Sequence, residues 1–479
     1  MSEVLTPDIC VIGAGSAGLT VAAASAAFGV SVVLIEKDRM GGDCLNTGCV
    51  PSKALIAAAR HAETMREAGR FGIKASEPQV NFAAVMAHIR EVIEAIAPND
   101  SVERFTGLGV TVLSGAARFT DRRTVKIKGA VKETEIRARR FVIATGTRPA
   151  VPPIPNIEAV PYLTNESVFE LKRRPNRLIV IGAGPIGLEM AQAFHRLGTE
   201  VVVLEAAKAL SKDDPELSAL LLERLRAEGI DIREGVKVVR VARRGRSGVR
   251  VMLDCGGGPT QLDGTHLLVA AGRRPDLLDL GLREAGIAFD KGGIKVNSKL
   301  RTRNRRVYAI GDAAGGPQFT HWAGYQGGLV VRSILFRFGG RVRADILPWV
   351  TFTDPELAHV GLSEAEAFRR HRHVQILRWP FAENDRAHTE RDTEGLVKVL
   401  TTKKGRIIGA DVLGRDAGEL IAPYAMAVAE RLTVKSLINT VLPYPTRSET
   451  ARRAAIAYYA PKLDSPWLRR VVGLLRKLG

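Results

Sequence analysis

Asp8-Ile9-Cys10-Val11-Ile12-Gly13-Ala14-Gly15-Ser16-Ala17-Gly18 is an apolar strand pattern that runs straight into a glycine loop. An alanine-rich helical stretch follows to about Phe28, and a second apolar strand, Val30 to Ile35, ends at Glu36. Each part has a physical task. The first glycine makes the tight turn, the second lets a pyrophosphate approach the backbone, and the third lets helix and strand pack closely. Glu36 can accept hydrogen bonds from ribose hydroxyls. A bare glycine triplet is a weak signal. With strand, helix and acid in place, Gly13, Gly15, Ser16, Gly18 and Glu36 read as a dinucleotide site.

The pattern then repeats. Arg177 to Ile181 reads as a strand, Gly182-Ala183-Gly184-Pro185-Ile186-Gly187 as the loop, Leu188 to Leu197 as the helix, and Glu200 to Leu204 as the next strand, closed by Glu205. First glycine and acid are 23 positions apart in both copies, Gly13 to Glu36 and Gly182 to Glu205. Gly182, Gly184, Gly187 and Glu205 therefore form a second site, and two sites imply two cofactors. A carboxylate at Glu205 accepts from a 2′-hydroxyl and repels a 2′-phosphate. No arginine stands directly beside it, though Lys208 is close. NADH is expected over NADPH.

Between the two units lies Gly41-Gly42-Asp43-Cys44-Leu45-Asn46-Thr47-Gly48-Cys49-Val50-Pro51-Ser52-Lys53, with two of the four cysteines. A helix-like segment, Lys53 to Arg60, follows. Five residues of regular helix span roughly 7.5 Å along the axis, while a disulfide wants Cα atoms about 4.4–6.8 Å apart. If the two pair, Cys44 must sit on an irregular turn, and Gly41, Gly42 and Gly48 supply the freedom for it. A thiol at a helix N-terminus has its thiolate stabilised. That setting favours a redox-active pair. The other readings are a structural disulfide or a metal site. A single Cys-x4-Cys with no Cys or His nearby is a poor zinc site, so no metal is expected. A structural disulfide is unfavoured where no export signal is visible.

The 479 residues suffice for three domains, and 46 % hydrophobic with 25 % charged residues is a globular composition. The net charge of +19 is large. The basic residues look spread out and free of interleaved aromatics, so no nucleic-acid partner is expected. Met1 to Pro7 is short and polar, which fits a cytoplasmic protein. Leu19 to Ile35 is apolar but short and broken at Gly29, so it reads as helix then strand rather than a membrane span.

Ser52 to His88 reads as largely helical with a loop near Gly72 to Pro78, and the helical pattern resumes from Phe82 to about Ile96. Val110 to Lys128 reads as short strands and turns. Phe141 to Gly146 is an apolar strand ending in small residues, and Pro149, Pro152, Pro153 and Pro155 mark a linker. Arg305 to Ile310 is a strand followed by Gly311-Asp312. Leu396 to Val399 and Ile407 to Val412 read as strands, and Ala417 to Arg431 as a helix.

Taken together, the cysteine string, the paired fingerprints, Gly311-Asp312 and Leu442-Pro443-Tyr444-Pro445-Thr446-Arg447-Ser448-Glu449 resemble the class I pyridine nucleotide-disulfide oxidoreductases. That family includes dihydrolipoamide dehydrogenase, glutathione reductase and mercuric reductase. The resemblance runs from about Asp8 to Tyr459. It implies an α/β fold with two Rossmann-like dinucleotide-binding domains, for FAD and NAD(P), plus a C-terminal α+β dimerisation domain. The expected boundaries are 1–149 with 276–347 for FAD, 150–275 for NAD(P) and 348–464 for dimerisation. It also implies a homodimer.

By the same resemblance, Cys49 faces the flavin as the charge-transfer thiolate and Cys44 is the interchange thiol. Lys53 matches the lysine near the flavin, and Glu189 its carboxylate partner. Thr145, Gly146 and Asp312 match flavin-domain positions, and Gly272 is a further cofactor-binding candidate. Glu449 matches the glutamate that pairs with the family's catalytic histidine. Here that histidine is Tyr444, a poor base at neutral pH with its unperturbed pKa of about 10. Mercuric reductases resemble this chain in having Tyr there, but they carry a C-terminal cysteine pair. The remaining cysteines here are Cys10 and Cys255, and the tail has none.

The expected activity is passage of electrons from NAD(P)H through FAD to the Cys44–Cys49 disulfide, and on to a disulfide, a metal ion or another oxidant. The rivals are a dihydrolipoyl dehydrogenase and a redox-sensing or membrane-attached flavoprotein with little turnover. His321, His359 and His388 read as structural or surface histidines, and Asn384 to Ala387 as a polar cluster fit to line a substrate mouth. In the tail, Ser465 and Pro466 open a helix with Trp467, Leu468, Val471, Val472, Leu475 and Leu478 on one face and Arg469, Arg470, Arg476 and Lys477 off it. Residues 465–479 would either pack on the dimer or lie on an anionic membrane surface.

Overall fold

The strand Ile9–Ile12 is the middle of a five-stranded parallel sheet in the order Val307–Ala309, Arg140–Ile143, Ile9–Ile12, Val32–Glu36, Val110–Ser114. The structure is a computed structural model, described for residues 3–128, 134–245, 248–254, 256, 258–463 and 465–478. Cys255 lies outside the described residues. Alternation along the central strand divides the core, as a period of two requires. Ile9 and Val11 pack under the helices Ser16–Ala26 and Thr320–Leu335. Cys10 and Ile12 pack toward a second sheet built from Glu3–Leu5, Thr134–Ile136, Val125–Lys128 and Ala116–Phe119.

The second unit repeats this plan. Its parallel strands run in the order Asp231–Arg233, Glu200–Leu204, Arg177–Ile181, His266–Val269, with a three-stranded antiparallel sheet alongside. Two crossing strands, Thr147–Pro149 and Arg273–Pro275, pair antiparallel between the units. The strand Val307–Ala309 comes after the whole second unit, yet it pairs with Arg140–Ile143 in the first sheet. The C-terminal unit is a five-stranded antiparallel sheet in the order Pro348–Thr351, Glu356–Gly361, Ile407–Gly414, Leu396–Thr402, Val374–Pro380, flanked by helices.

Leu19 to Ile35 is indeed a helix end, a turn and a strand, and no helix among the described residues is long and apolar enough to cross a membrane. Several local expectations are corrected. Cys44 lies on no irregular turn but in the one-turn helix Gly42–Asn46. The irregularity falls at Thr47 and Gly48, where Gly48 has φ −122 and ψ −114. The next helix starts at Cys49 rather than Lys53 and runs to Glu67. Ala417 to Arg431 is broken into Ala417–Leu420 and Ala422–Ala429. Pro423 has no N–H to give to the preceding turn, so a single helix cannot run through it.

Candidate functional site

Gly41 and Gly42 both have positive φ (85° and 60°), and they turn the chain so that the short helix carrying Cys44 abuts the first glycine loop. The Gly41 N–H donates to the Ala14 carbonyl at 2.9 Å. Cys49 then opens the long helix. Cys44 is half-buried and Cys49 exposed, and the two are not bridged. The Cys44 thiol donates to Cys49, which drives the Cys49 pKa down to about 6. The Thr320 hydroxyl, 3.6 Å from the Cys49 sulfur, and the Lys53 ammonium act in the same direction, against partial enclosure and the Glu189 charge. The same bond, with burial, pushes Cys44 up. At neutral pH the proton therefore sits on Cys44 and the thiolate on Cys49. Cys10 is fully buried and burial pushes its thiol up, so it is a core residue and not a nucleophile.

Lys53 lies one turn beyond Cys49 and donates to the buried Glu189 at 2.9 Å. The other Glu189 oxygen accepts from the Phe352 N–H at 3.0 Å, and the Lys53 ammonium stands 4.2 Å from the Phe352 ring centre. Cys44, Cys49, Lys53 and Glu189 thus come together from two separate glycine-loop units, with Thr320 from a third segment.

The glycine loops have the shape their proposed ligands need. A Cβ on Gly13 would sit 2.4 Å from the Ala144 carbonyl oxygen, and one on Gly18 would sit 1.9 Å from that of Gly13. The second loop matches, with 2.5 Å from Gly182 to the Ala270 oxygen and 1.9 Å from Gly187 to that of Gly182. Glu36 accepts from the Ala14 and Asp38 N–H groups at 2.7 and 2.8 Å. Glu205 accepts from Ala183 and Ala207, both at 2.9 Å. Ser16 is the first residue of the first helix. These cradles and acids fit two dinucleotides.

Asp312 is buried enough to push its carboxyl up, and it accepts from the Thr147 hydroxyl at 2.7 Å. Thr145 donates to the Asp276 carbonyl at 3.0 Å, and the Gly146 carbonyl accepts from the Asp276 N–H at 3.1 Å. The Gly272 carbonyl accepts from Ala150 at 2.9 Å, so Gly146 and Gly272 both flank the crossing strands.

Tyr444 and Glu449 belong to the C-terminal segment, where Tyr444 is exposed. The Tyr444 hydroxyl donates to Asp385 at 3.0 Å, and that carboxylate raises the phenol pKa further, with Glu449 adding to it. Asn384 caps the short helix Asp385–Thr389, so the polar cluster sits against Tyr444. The three histidines have structural partners. His321 and His388 meet the Pro348 and Ala382 carbonyls, and buried His359 pairs with Asp411 at 2.6 Å.

Sequence reasoning missed four participants. Thr320 touches Cys49 across 271 positions, with no spacing motif to link them. Arg273 pairs with Asp43, beside Cys44, at 2.8 Å, and Asn165 donates to the same carboxylate at 3.1 Å. Phe352 backs Lys53. The strings Ala144-Thr145-Gly146-Thr147-Arg148-Pro149 and Ala270-Ala271-Gly272-Arg273-Arg274-Pro275 are a second internal repeat, but it matches Arg274 to Arg148 and sets Arg273 against Thr147, so it did not single out Arg273.

The chain matches two family models, the pyridine nucleotide-disulphide oxidoreductase domain over residues 7–327 and its dimerisation domain over 347–455. The mercuric reductase of Streptomyces lividans is 35% identical over 454 residues, 94% of this chain and 95% of that protein. The dihydrolipoyl dehydrogenase of Thermus scotoductus is 36% identical over 471 residues, 95% of this chain and 98% of that protein. Among solved structures, the Cu(II) complex of the HOCl-induced flavoprotein disulfide reductase RclA from Escherichia coli superposes with a TM-score of 0.84 at 28% identity, covering 95% of this chain and 99% of that one. With its dimerisation domain and its paired cysteines, the chain belongs to the class I pyridine nucleotide-disulfide oxidoreductases and is an FAD-dependent oxidoreductase that uses a pyridine nucleotide.

Proposed function

We propose that this enzyme reduces a thiophilic metal ion or another thiol-reactive oxidant, disulfides included, with NADH as the electron source. The carrying observation is the Cys44–Cys49–Lys53–Glu189 constellation, which holds a thiolate on Cys49 and a proton on Cys44. Bound FAD supplies a two-electron relay between the nicotinamide and the cysteine pair. Lys53, fixed by Glu189, orients its positive charge toward Cys49 and keeps that sulfur ionised. Cys44 is the thiol that meets the acceptor. The acceptor gains two electrons as the Cys44–Cys49 bond forms, and the Cys44 proton leaves.

The missing base selects among acceptors. Exchange with a dithiol or disulfide substrate needs a group that moves protons near neutral pH. Tyr444 does this poorly while Asp385 holds its hydroxyl and raises its pKa, so a disulfide is the slower class of acceptor here. A thiolate-binding cation or an electrophilic oxidant has no such need. In the family's homodimers the matching histidine serves the active site of the partner subunit, and Tyr444 is read in that place here. The test is Tyr444→His, which is expected to raise dihydrolipoamide turnover at least tenfold. Unchanged turnover would defeat this account of specificity.

The finer assignments follow the same reading. Residues 1–149 with 276–347 hold FAD, through Gly13, Gly15, Ser16, Gly18, Glu36, Thr145, Gly146 and Asp312. Residues 150–275 hold NADH, through Gly182, Gly184, Gly187, Glu205 and Gly272. The return of Val307–Ala309 to the first sheet supports that discontinuous unit. Glu205 supports NADH, because its geometry copies that of Glu36 and Lys208 acts on Glu234 instead. The enzyme is cytoplasmic and touches the inner face of the membrane through residues 465–479. The helix Pro466–Leu475 supports this contact, since it buries none of its residues against the body.

A further inference from the structure

The basic charge is less evenly spread than the sequence implies. Val374 pairs with Thr402 at one end of the C-terminal sheet, which brings the turn before one strand against the hairpin tip after the other. Two adjoining clefts of about 340 and 370 Å³ open there. Their lining includes the cations Arg372, Lys403, Lys404 and Arg406 together with His371 and His373, and no carboxylate lines either cleft. Among the described residues, Arg372, Lys403, Lys404 and Arg406 make no ion pair. Like charges gathered without counter-charges repel one another, and an anion in their midst relieves that repulsion.

The tail emerges beside the same clefts. The Tyr458 hydroxyl donates to the Lys403 carbonyl at 2.7 Å, and the helix Glu449–Ala457 packs on both strands of the pair. The helix Pro466–Leu475 follows within a few residues. Trp467 is 71% and Leu474 67% exposed. From Ser465 to Leu478 there are four basic residues and no acid.

We propose that the His371–His373 and Lys403–Arg406 clefts bind the phosphate headgroups of anionic lipids, and that with the tail helix they form one docking face for an anionic membrane surface. The proposal rests on the tail reading above and adds a second, structurally separate contact to it. The exposed aliphatic and indole surface of the tail helix selects lipid as the source of phosphate. An acyl boundary buries that surface, whereas a soluble anion leaves it in water. Electrons would then be delivered at the membrane's inner face, where lipid-borne or membrane-concentrated oxidants are met.

The experiment is flotation of the full-length holoenzyme with vesicles of phosphatidylglycerol and phosphatidylcholine, against pure phosphatidylcholine. Three proteins are compared: wild type, Arg372→Gln/Lys403→Gln/Lys404→Gln, and Trp467→Ser/Leu474→Ser. Each basic residue near an anionic surface strengthens binding about fivefold, so the triple variant is expected to bind about 100-fold more weakly. Its NADH oxidation should be unchanged, and wild-type binding should weaken with salt. If the triple variant misfolds, the single Lys404→Glu reads the same effect. Equal flotation of wild type and cleft variant, with loss only in the tail variant, overturns the cleft proposal and leaves the tail reading standing. No flotation of wild type ends both. If inorganic phosphate raises the melting temperature of wild type but not of the triple variant, while both float alike, the clefts hold a soluble anion and the proposal fails.

Discussion

In the first dinucleotide unit Gly13 has φ +104 and Gly15 φ −82; in the second, Gly182 has +107 and Gly184 −80. The match extends 28 residues on, where the Gly41 N–H donates to the Ala14 carbonyl and the Leu210 N–H donates to that of Ala183. What differs is the next few residues. After Gly41 the chain becomes the cysteine helix, and Gly42 lies so close that a Cβ on it would sit 2.8 Å from the Gly15 Cα. After Leu210 the chain leads away to Asp213, which accepts from the Trp349 ring N–H at 2.7 Å. A Cβ on Gly184 would meet nothing within 4 Å. One cradle is thus roofed by the redox pair and the other is open. The first suits a resident cofactor in register with the sulfurs. The second suits a nucleotide that arrives and leaves each turnover.

The largest effect is expected when the same position is damaged in both units. Gly18→Ala and Gly187→Ala each force a Cβ to within 1.9 Å of a carbonyl oxygen, a clash well beyond the ~1–3 kcal/mol of ordinary overpacking. Gly18→Ala should yield protein without flavin colour. Gly187→Ala should keep its flavin and lose nucleotide binding. Flavin absorbance of the purified variants and KM for NADH decide it, and flavin loss in both would erase the distinction.

A smaller effect is expected at the twin acids. Glu205→Ser should lower kcat/KM for NADH by about 10–100-fold, the worth of a hydrogen bond to a charged group at ~1.5–3 kcal/mol. NADPH should suffer less, so the ratio of the two shifts. Glu36→Ser should leave that ratio alone. An unchanged ratio in Glu205→Ser would remove the basis for preferring NADH.

The smallest effect belongs to the middle glycines. Gly184→Ala has ordinary φ and open space around it, so stability should be within a few tenths of a kcal/mol of wild type, while KM for NADH rises by a few fold. A rise in KM without a change in melting temperature shows that the space belongs to the ligand. A drop in melting temperature shows that it belongs to the fold.

Much of this was legible in the chain because it is local. Strand, loop, helix and acid lie within 23 positions in each unit, and hydrophobic periodicity marks them independently of the rest of the molecule. The cysteine string was legible for the same reason, although its irregular point falls at Thr47 and Gly48 and not at Cys44. The Lys53–Glu189 pair, 136 positions apart, followed from family resemblance and not from pattern. Thr320 was illegible, because a threonine at a helix start is ordinary until the fold sets it against a sulfur. The basic clefts were hidden as well, since His371–His373 and Lys403–Arg406 look like two separate charged turns until Val374 pairs with Thr402. The break at Pro423 was readable in principle, and the apolar pattern on either side masked it.

Anaerobic titration of the holoenzyme with NADH reads directly whether Cys49 holds its thiolate against the bound flavin. After two electrons, a long-wavelength charge-transfer band should appear while the flavin stays oxidised. The Cys49 pKa of about 6 is depressed, so the band should be present above pH 6 and fade as pH falls through it. Lys53→Gln removes a charge that lowers this pKa, so its midpoint should move up. Two electrons that simply bleach the flavin, with no band at any pH, would contradict the account.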